Sequence, residues 1–331
     1  SSLRPHCLAR ERLRLWVPVT SRSRHDHTGS LIGILDSDID CILTVIAHSH
    51  APTTRESYGS GLLVYHVFCD SHNVPEEQRC PASSTLLLAF IASCAGLYSG
   101  KTLDNYFYGI RAWHLLHGQP WLVNQAQASL TLEGAKHLAP AKSTRPKRAP
   151  FTVELLVAIR SSLDLSIPLH AAVYGCLTTS FFTLAQTGEF TVPSLKNFDP
   201  LAHVRVSDLR YEVDRNRFKV AVFHLPRTKT SRTGEDIYWA AQSGPVDPQA
   251  ALDNHLAVNS PSPSDALFSW RHRAGLRVLT RSAFLKCIQE SSDRLGQGDL
   301  KGHGIRIGGT LEYLLRGVPF DSVKTMGRWS S

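Results

Sequence analysis

A helical domain followed by an α+β domain is the architecture this sequence predicts, and three observations carry it. From Asp38 to about Ala139, apolar residues recur at helical spacing in one segment after another, with serines and prolines at the breaks. Residues 140–150 are polar, basic and aperiodic, as a linker is. Beyond them, β-branched and aromatic residues gather around 203–206, 218–224 and 236–239, between segments of helical period.

Taken in order, residues 1–37 hold Arg4, Arg10, Arg12, Arg14, Arg22 and Arg24 among Ser, His and Pro, and they are expected to form a flexible basic arm. Ile39, Ile42, Leu43 and Ile46 then mark a first helix by their spacing. Thr53 and Glu56 have the spacing of a capping box, opening a second helix through Leu62, Leu63, Val67 and Phe68. A third is predicted from Ser84 to Leu97 and a fourth after Ser99. A short fifth over about 125–138 completes a domain spanning 38–139.

The linker 140–150 contains Lys142, Arg145, Lys147 and Arg148. In the second domain, 151–331, Thr152 caps a helix, and a longer apolar one is predicted from Pro168 to Ala185. After the three strands, helices return over 247–258, 280–295 and 305–316, and a last one starts from Asp321. In the 305–316 helix the predicted apolar side is Ile307, Leu311, Leu314 and Leu315.

Composition narrows the function classes. A net charge of +8 favours a polyanionic partner, because cations that neutralise phosphates release condensed counterions. No apolar run approaches the ~20 residues of a membrane span, and the Arg-rich first thirty residues lack the apolar centre of a signal peptide. The seven cysteines include no Cys-x-x-Cys and mostly sit in apolar runs, against a secreted disulfide framework and against zinc. Neither His25-Asp26-His27 nor His48-Ser49-His50 has further ligands at a metal-site spacing, so no metal is expected. Gly-x-Ser-x-Gly and Gly-rich phosphate loops are both absent from the sequence.

The chemistry concentrates near the end. His303 and Arg306 are three residues apart at the start of a predicted helix, so both can serve one site. They are followed by Met326-Gly327-Arg328-Trp329. This pattern resembles the C-terminal signature of tyrosine recombinases, the phage-integrase family, in its fungal Crypton-like or related mobile-element flavour. Thr102-Leu103-Asp104-Asn105-Tyr106, Ile110-Arg111-Ala112-Trp113-His114 and Gly118-Gln119-Pro120-Trp121 resemble that family's helical core-binding domain. The resemblance implies double-stranded DNA as partner, a homo-oligomer assembled on it, nuclear location, and strand breaking and rejoining through a 3′-phosphotyrosine, with no metal or cofactor.

In the family, two arginines and a His or Trp hold the non-bridging oxygens of one phosphate. A lysine on a β-hairpin protonates the departing 5′ oxygen, and a second His assists proton traffic. Carried over, the resemblance makes Lys229 the general acid and matches His303, Arg306 and Trp329 to the second motif. Glu189, in Thr-Gly-Glu, matches the acidic residue of the first. It implies backbone contacts for Arg55, Lys101, Arg111, Arg227 and Arg232, and for Lys142, Arg145, Lys147 and Arg148 of the linker.

Two departures are visible. Gln186 occupies the position of the first arginine, and no arginine lies between Arg160 and Arg205. A charged contact on a transition-state phosphate is worth about 3 kcal/mol, so weakened strand cleavage is expected. The tyrosine would lie beyond Ser331, and the single methionine is Met326, so the reading expects a fragment at both ends with impaired catalysis. The alternatives are a binding-only, chromatin-associated module and a mobile-element remnant without function.

Overall fold

The computed structural model describes residues 3–25, 28–143, 149–213, 217–228, 231, 233–240, 242–298 and 300–329. The chain forms two compact units, Ser1–Pro146 and Lys147–Ser331.

The first unit is helical: α1 (Ala9–Leu15), α2 (Asp36–Ala47), α3 (Pro52–Ser71), α4 (Glu76–Arg79), α5 (Ser84–Cys94), α6 (Gly100–Leu116) and α7 (Gln125–His137). Ser83, Ser99 and Asn124 accept a backbone N–H two or three residues into α5, α6 and α7, which is why those helices start where they do. The box expected at Thr53 and Glu56 does not form. α3 begins at Pro52 instead, where a missing N–H costs nothing and the fixed φ suits a helix start. Leu62, Tyr65 and Cys69 of α3 and Leu103, Phe107, Ile110 and Trp113 of α6 are buried in one core.

The basic arm expected over 1–37 is corrected by α1. Leu13 and Trp16 lie in the core, and the Trp16 carbonyl accepts from Trp113 Nε1 at 2.6 Å. His117 Nε2 lies 3.0 Å from the Leu13 carbonyl. The arginines are used within the unit: Arg12 donates to the Gly59 carbonyl, Arg22 to the Leu115 carbonyl, and Arg4, Arg14 and Arg24 pair with Glu76, Asp40 and Asp36. Among them two apolar residues, Leu13 and Trp16, suffice to dock a seven-residue helix, too few for a period to be read.

The second unit runs α8 (Val153–Ser162), α9 (Pro168–Phe182), α10 (Thr187–Phe190), β1 (Leu209–Val213), β2 (Lys219–Leu225), β3 (Glu235–Ala240), α11 (Pro248–Asn259), β4 (Trp270–His272), β5 (Gly275–Arg277), α12 (Arg281–Arg294), α13 (Gly302–Leu315) and α14 (Phe320–Gly327). β1, β2 and β3 form an antiparallel sheet in that order, and β4 and β5 a separate hairpin. The first strand expected, 203–206, makes only an isolated antiparallel bridge, Arg205 opposite Ala266. Asp208 accepts from the Arg205 backbone N–H and from its guanidinium, winding a 3-10 turn over Val206–Asp208, and the three-stranded sheet starts at Leu209.

α9 is the centre of this unit, buried at every residue from Ala171 to Phe182. It stops short of the predicted Ala185 because Leu184, fully buried, takes a left-handed φ of 54°. That sharp turn, uncommon for a non-glycine residue, aims the chain into α10.

The inward face of α13 also differs from expectation. Leu311, Leu314 and Leu315 are exposed, whereas Gly304, Ile305, Arg306, Gly308 and Gly309 are buried. A Cβ on Gly308 would fall inside the van der Waals shell of the Phe151 carbonyl, and one on Gly309 inside that of Phe181. The helix turns its small side inward because backbone, rather than side chains, packs there. Among the described residues no helix is long and apolar enough to cross a membrane.

Candidate phosphate-holding site

The turn at Leu184 sets up the site's first wall. Gln186 caps α10, and its backbone N–H donates to Glu189 Oε2 at 2.8 Å, while the Gln186 side chain remains exposed. Thr187 Oγ1 donates to the Gly302 carbonyl at 3.2 Å, tying α10 to the first turn of α13. That tie puts His303, exposed, and Arg306, buried, on the helix turn next to α10.

Arg306 is held from the far end of α14. Its Nη2 donates to the Gly327 carbonyl, and the guanidinium lies 5.5 Å from the centroid of the Trp329 ring. Burial lowers the Arg306 pKa, the Arg328 charge lowers it further, and Glu189 partly offsets both. Its Nε is buried without a hydrogen-bond partner among the described residues, as is that of Arg328.

Arg328 was not singled out by the sequence, and it closes the site. It takes a left-handed φ of 56° after α14. From there Nη2 reaches Glu189 Oε2 at 2.6 Å and Nη1 reaches Glu235 Oε1 at 3.3 Å. One guanidinium thus joins α10, the end of α14 and the start of β3. Gly-Arg-Trp was a visible signal, but a sequence gives no distance between positions 189, 235 and 328. All three side chains are largely buried, so Arg328→Ala, which leaves two carboxylates without their cation, is expected to destabilise this unit by roughly 2 kcal/mol in urea unfolding.

Gln186, Gly188, Glu189, Ala202, Arg227 and Thr228 line a cavity of about 230 Å³. Arg227 is exposed, and Thr228 is joined to Ser231 by a backbone bond of 2.9 Å and a side-chain bond of 3.0 Å. Lys229 and Arg232 lie outside the described residues, as do Arg145, Lys147 and Arg148. Lys142 is exposed on a 3-10 turn over Ala141–Ser143, Lys101 and Arg111 are exposed on α6, and Arg55 is half-buried on α3. Tyr313 takes no part in the site. Its hydroxyl donates to the Phe182 carbonyl at 2.8 Å, and burial pushes its pKa up to about 12.

Gln186, Glu189, Arg306 and Trp329 are therefore gathered around Arg328 within one unit, with His303 on the adjoining turn. The arrangement offers N–H donors and positive charge at a place where an anion's oxygens can accept them.

No family model matches the chain, and no curated protein does. Solved structures do. The chain is similar to the XerH site-specific recombinase bound to palindromic difH substrate in a post-cleavage complex, with a TM-score of 0.56 and 13% identity over 90% of this chain and 78% of that one. A pre-cleavage complex of XerH with difH matches with a TM-score of 0.54 and 14% identity, over 99% of this chain and 93% of that one. The mostly helical chain with its small antiparallel sheet has the tyrosine-recombinase fold.

Proposed function

We propose that this chain is a duplex-DNA-binding protein of the tyrosine-recombinase type, of mobile-element, Crypton-like origin and acting in the nucleus. In this reading it holds one backbone phosphate between His303, Arg306 and Trp329, with strand cleavage weakened by Gln186. The observation that carries this reading is Arg306. A buried guanidinium packed beside the Trp329 ring and close to a second guanidinium has an Nε–H without a partner among the described residues, an arrangement that a phosphate oxygen would relieve.

Lys229 is assigned here as the general acid, on the resemblance alone. Arg55, Lys101, Arg111, Lys142, Arg145, Lys147, Arg148, Arg227 and Arg232 are assigned to the DNA backbone, and an oligomer on DNA belongs to the same reading. A binding-only role is the second reading, and one observation favours it: the residue exposed at the head of α10 is an uncharged amide. Glutamine can donate to a phosphate oxygen but brings no charge to the transition state.

Fluorescence anisotropy with labelled duplex DNA over a salt series tests the proposal. Affinity should fall steeply as salt rises, with a logarithmic slope of roughly −0.9 per phosphate neutralised. Gln186→Arg should tighten binding several-fold and steepen the slope by about 1. A folded chain that binds no duplex at low salt would overturn the proposal.

A further inference from the structure

The β4–β5 hairpin was not foreseen from the sequence, and no role in the site above accounts for it. Between Asp265 and Glu290 the chain has five lysines and arginines and no carboxylate. Trp270 pairs with Arg277, Arg271 with Leu276 and His272 with Gly275. Cross-strand partners share a face, so Trp270, His272 and Arg277 lie on one side. Arg273, in the turn, is exposed. The rings of Trp270 and His272 meet edge to face at 5.4 Å.

The base of the hairpin is fixed on both sides. Leu267 N–H donates to the Val204 carbonyl at 2.9 Å. On the exit side, Val192 N–H donates to the Leu279 carbonyl, and Arg281 N–H to the Val192 carbonyl, both at 3.0 Å. Arg271 Nε donates to the Asn259 carbonyl, so this arginine belongs to the anchor. Arg273 and Arg277 pair with no carboxylate among the described residues. The pKa of His272 is lowered by partial desolvation and then by Arg277 and Arg273, as expected where positive groups crowd without a counter-charge.

We infer that the β4–β5 hairpin, through Arg273 in its turn and Arg277 on β5, is a second contact for a nucleic-acid backbone. A rigid hairpin with Arg273 exposed in its turn and Arg277 half-buried on β5, neither paired with a carboxylate among the described residues, suits a regular array of phosphates. The exit strand is bonded to Val192, two residues after α10, which ties this hairpin to the element carrying Gln186 and Glu189. Continuity with that site favours one polyanion spanning both over an acidic protein surface. The inference rests on the DNA-binding reading above.

The test is the same anisotropy measurement with 30-base-pair duplex on three proteins: the parent, Arg273→Ala/Arg277→Ala, and a control, Arg10→Ala/Lys136→Ala, whose cations already pair with Glu11 and Glu133. The hairpin variant should bind at least about fivefold more weakly and lose roughly 2 from its salt slope, about 1 per arginine. The control should stay within about twofold of the parent. A folded hairpin variant that matches the parent or the control overturns the hairpin contact and leaves the DNA reading standing. A folded parent that binds no duplex overturns both.

Discussion

Acidification from pH 7 to pH 5 is expected to destabilise the first unit by roughly 6 kcal/mol and the second by about a third as much. Three histidines in its core are held neutral. Burial lowers His66 to about 3, with help from the charges of Arg4 and Arg79 against a partial offset from Asp70. Burial also lowers His114 and His117 to about 4. His114 Nε2 accepts from the Ala82 N–H at 2.9 Å, and its Nδ1 lies 2.8 Å from the Ile110 carbonyl, so protonation would break a bond as well as bury a charge.

Above the unfolded pKa of about 6.5, neither state binds these protons, and stability does not depend on them. Below it the unfolded chain takes up protons that the folded one refuses, down to folded values near 4 and 3. Each group then removes roughly 1.4 kcal/mol per pH unit, and the three together about 4. From about pH 6.5 down to pH 5 the slope removes roughly 6 kcal/mol, which matches the lower end of a domain stability of roughly 5–15 kcal/mol. Among the described residues, the second unit has one core histidine held neutral in this way, His255, lowered by burial to about 4. Hydrogen exchange read peptide by peptide, with urea unfolding at pH 7, 6 and 5, checks this. Equal slopes in the two units would show that these histidines do not govern acid stability.

Gly308→Ala is expected to be the most damaging single-carbon addition in the second unit. The backbone at 149–151 lies along α13, with Phe151 N–H donating to the Gly304 carbonyl at 3.0 Å, one helical turn before Gly308. The added Cβ meets the Phe151 carbonyl, a backbone group in a fully buried residue, and no rotamer can move it aside. The helix must shift instead, at a cost of about 3 kcal/mol or more. Because Arg306 is on the same helix, duplex affinity should fall together with the melting temperature. Gly134→Ala on α7, where a Cβ meets nothing within 4 Å, is the matched control and should leave the first unit at least as stable. A Gly308→Ala protein that melts like the parent would mean the contact relaxes without strain.

What the sequence made legible follows from what each element depends on. α5, α6 and α7 are fixed by local signals, a serine or asparagine cap ahead of apolar residues at helical spacing, and they lie close to where those signals put them. α13 was placed correctly but turned the wrong way. Leucine period marks a greasy face, whereas the packed face here is chosen by what can be left out. The placing of His303 and Arg306 on one helix turn, with Trp329 close to Arg306, follows from short spacings that a sequence displays. Arg328 could not be placed in this way, since its role depends on carboxylates 139 and 93 residues away. The β4–β5 hairpin has three residues per strand, below the length at which alternation can be seen.

The docking of α1 sets a timetable for synthesis. Its partners Trp113 and His117 are separated from Trp16 and Leu13 by 97 and 104 residues. At roughly 5–20 residues per second on a ribosome, that helix emerges about 5–20 s before α6, the later of the two long helices it packs on. Through that interval the bonds from Trp113 and His117 to the carbonyls of Trp16 and Leu13 are unmade, and a chaperone can hold the side chains of Leu13 and Trp16 on the nascent chain.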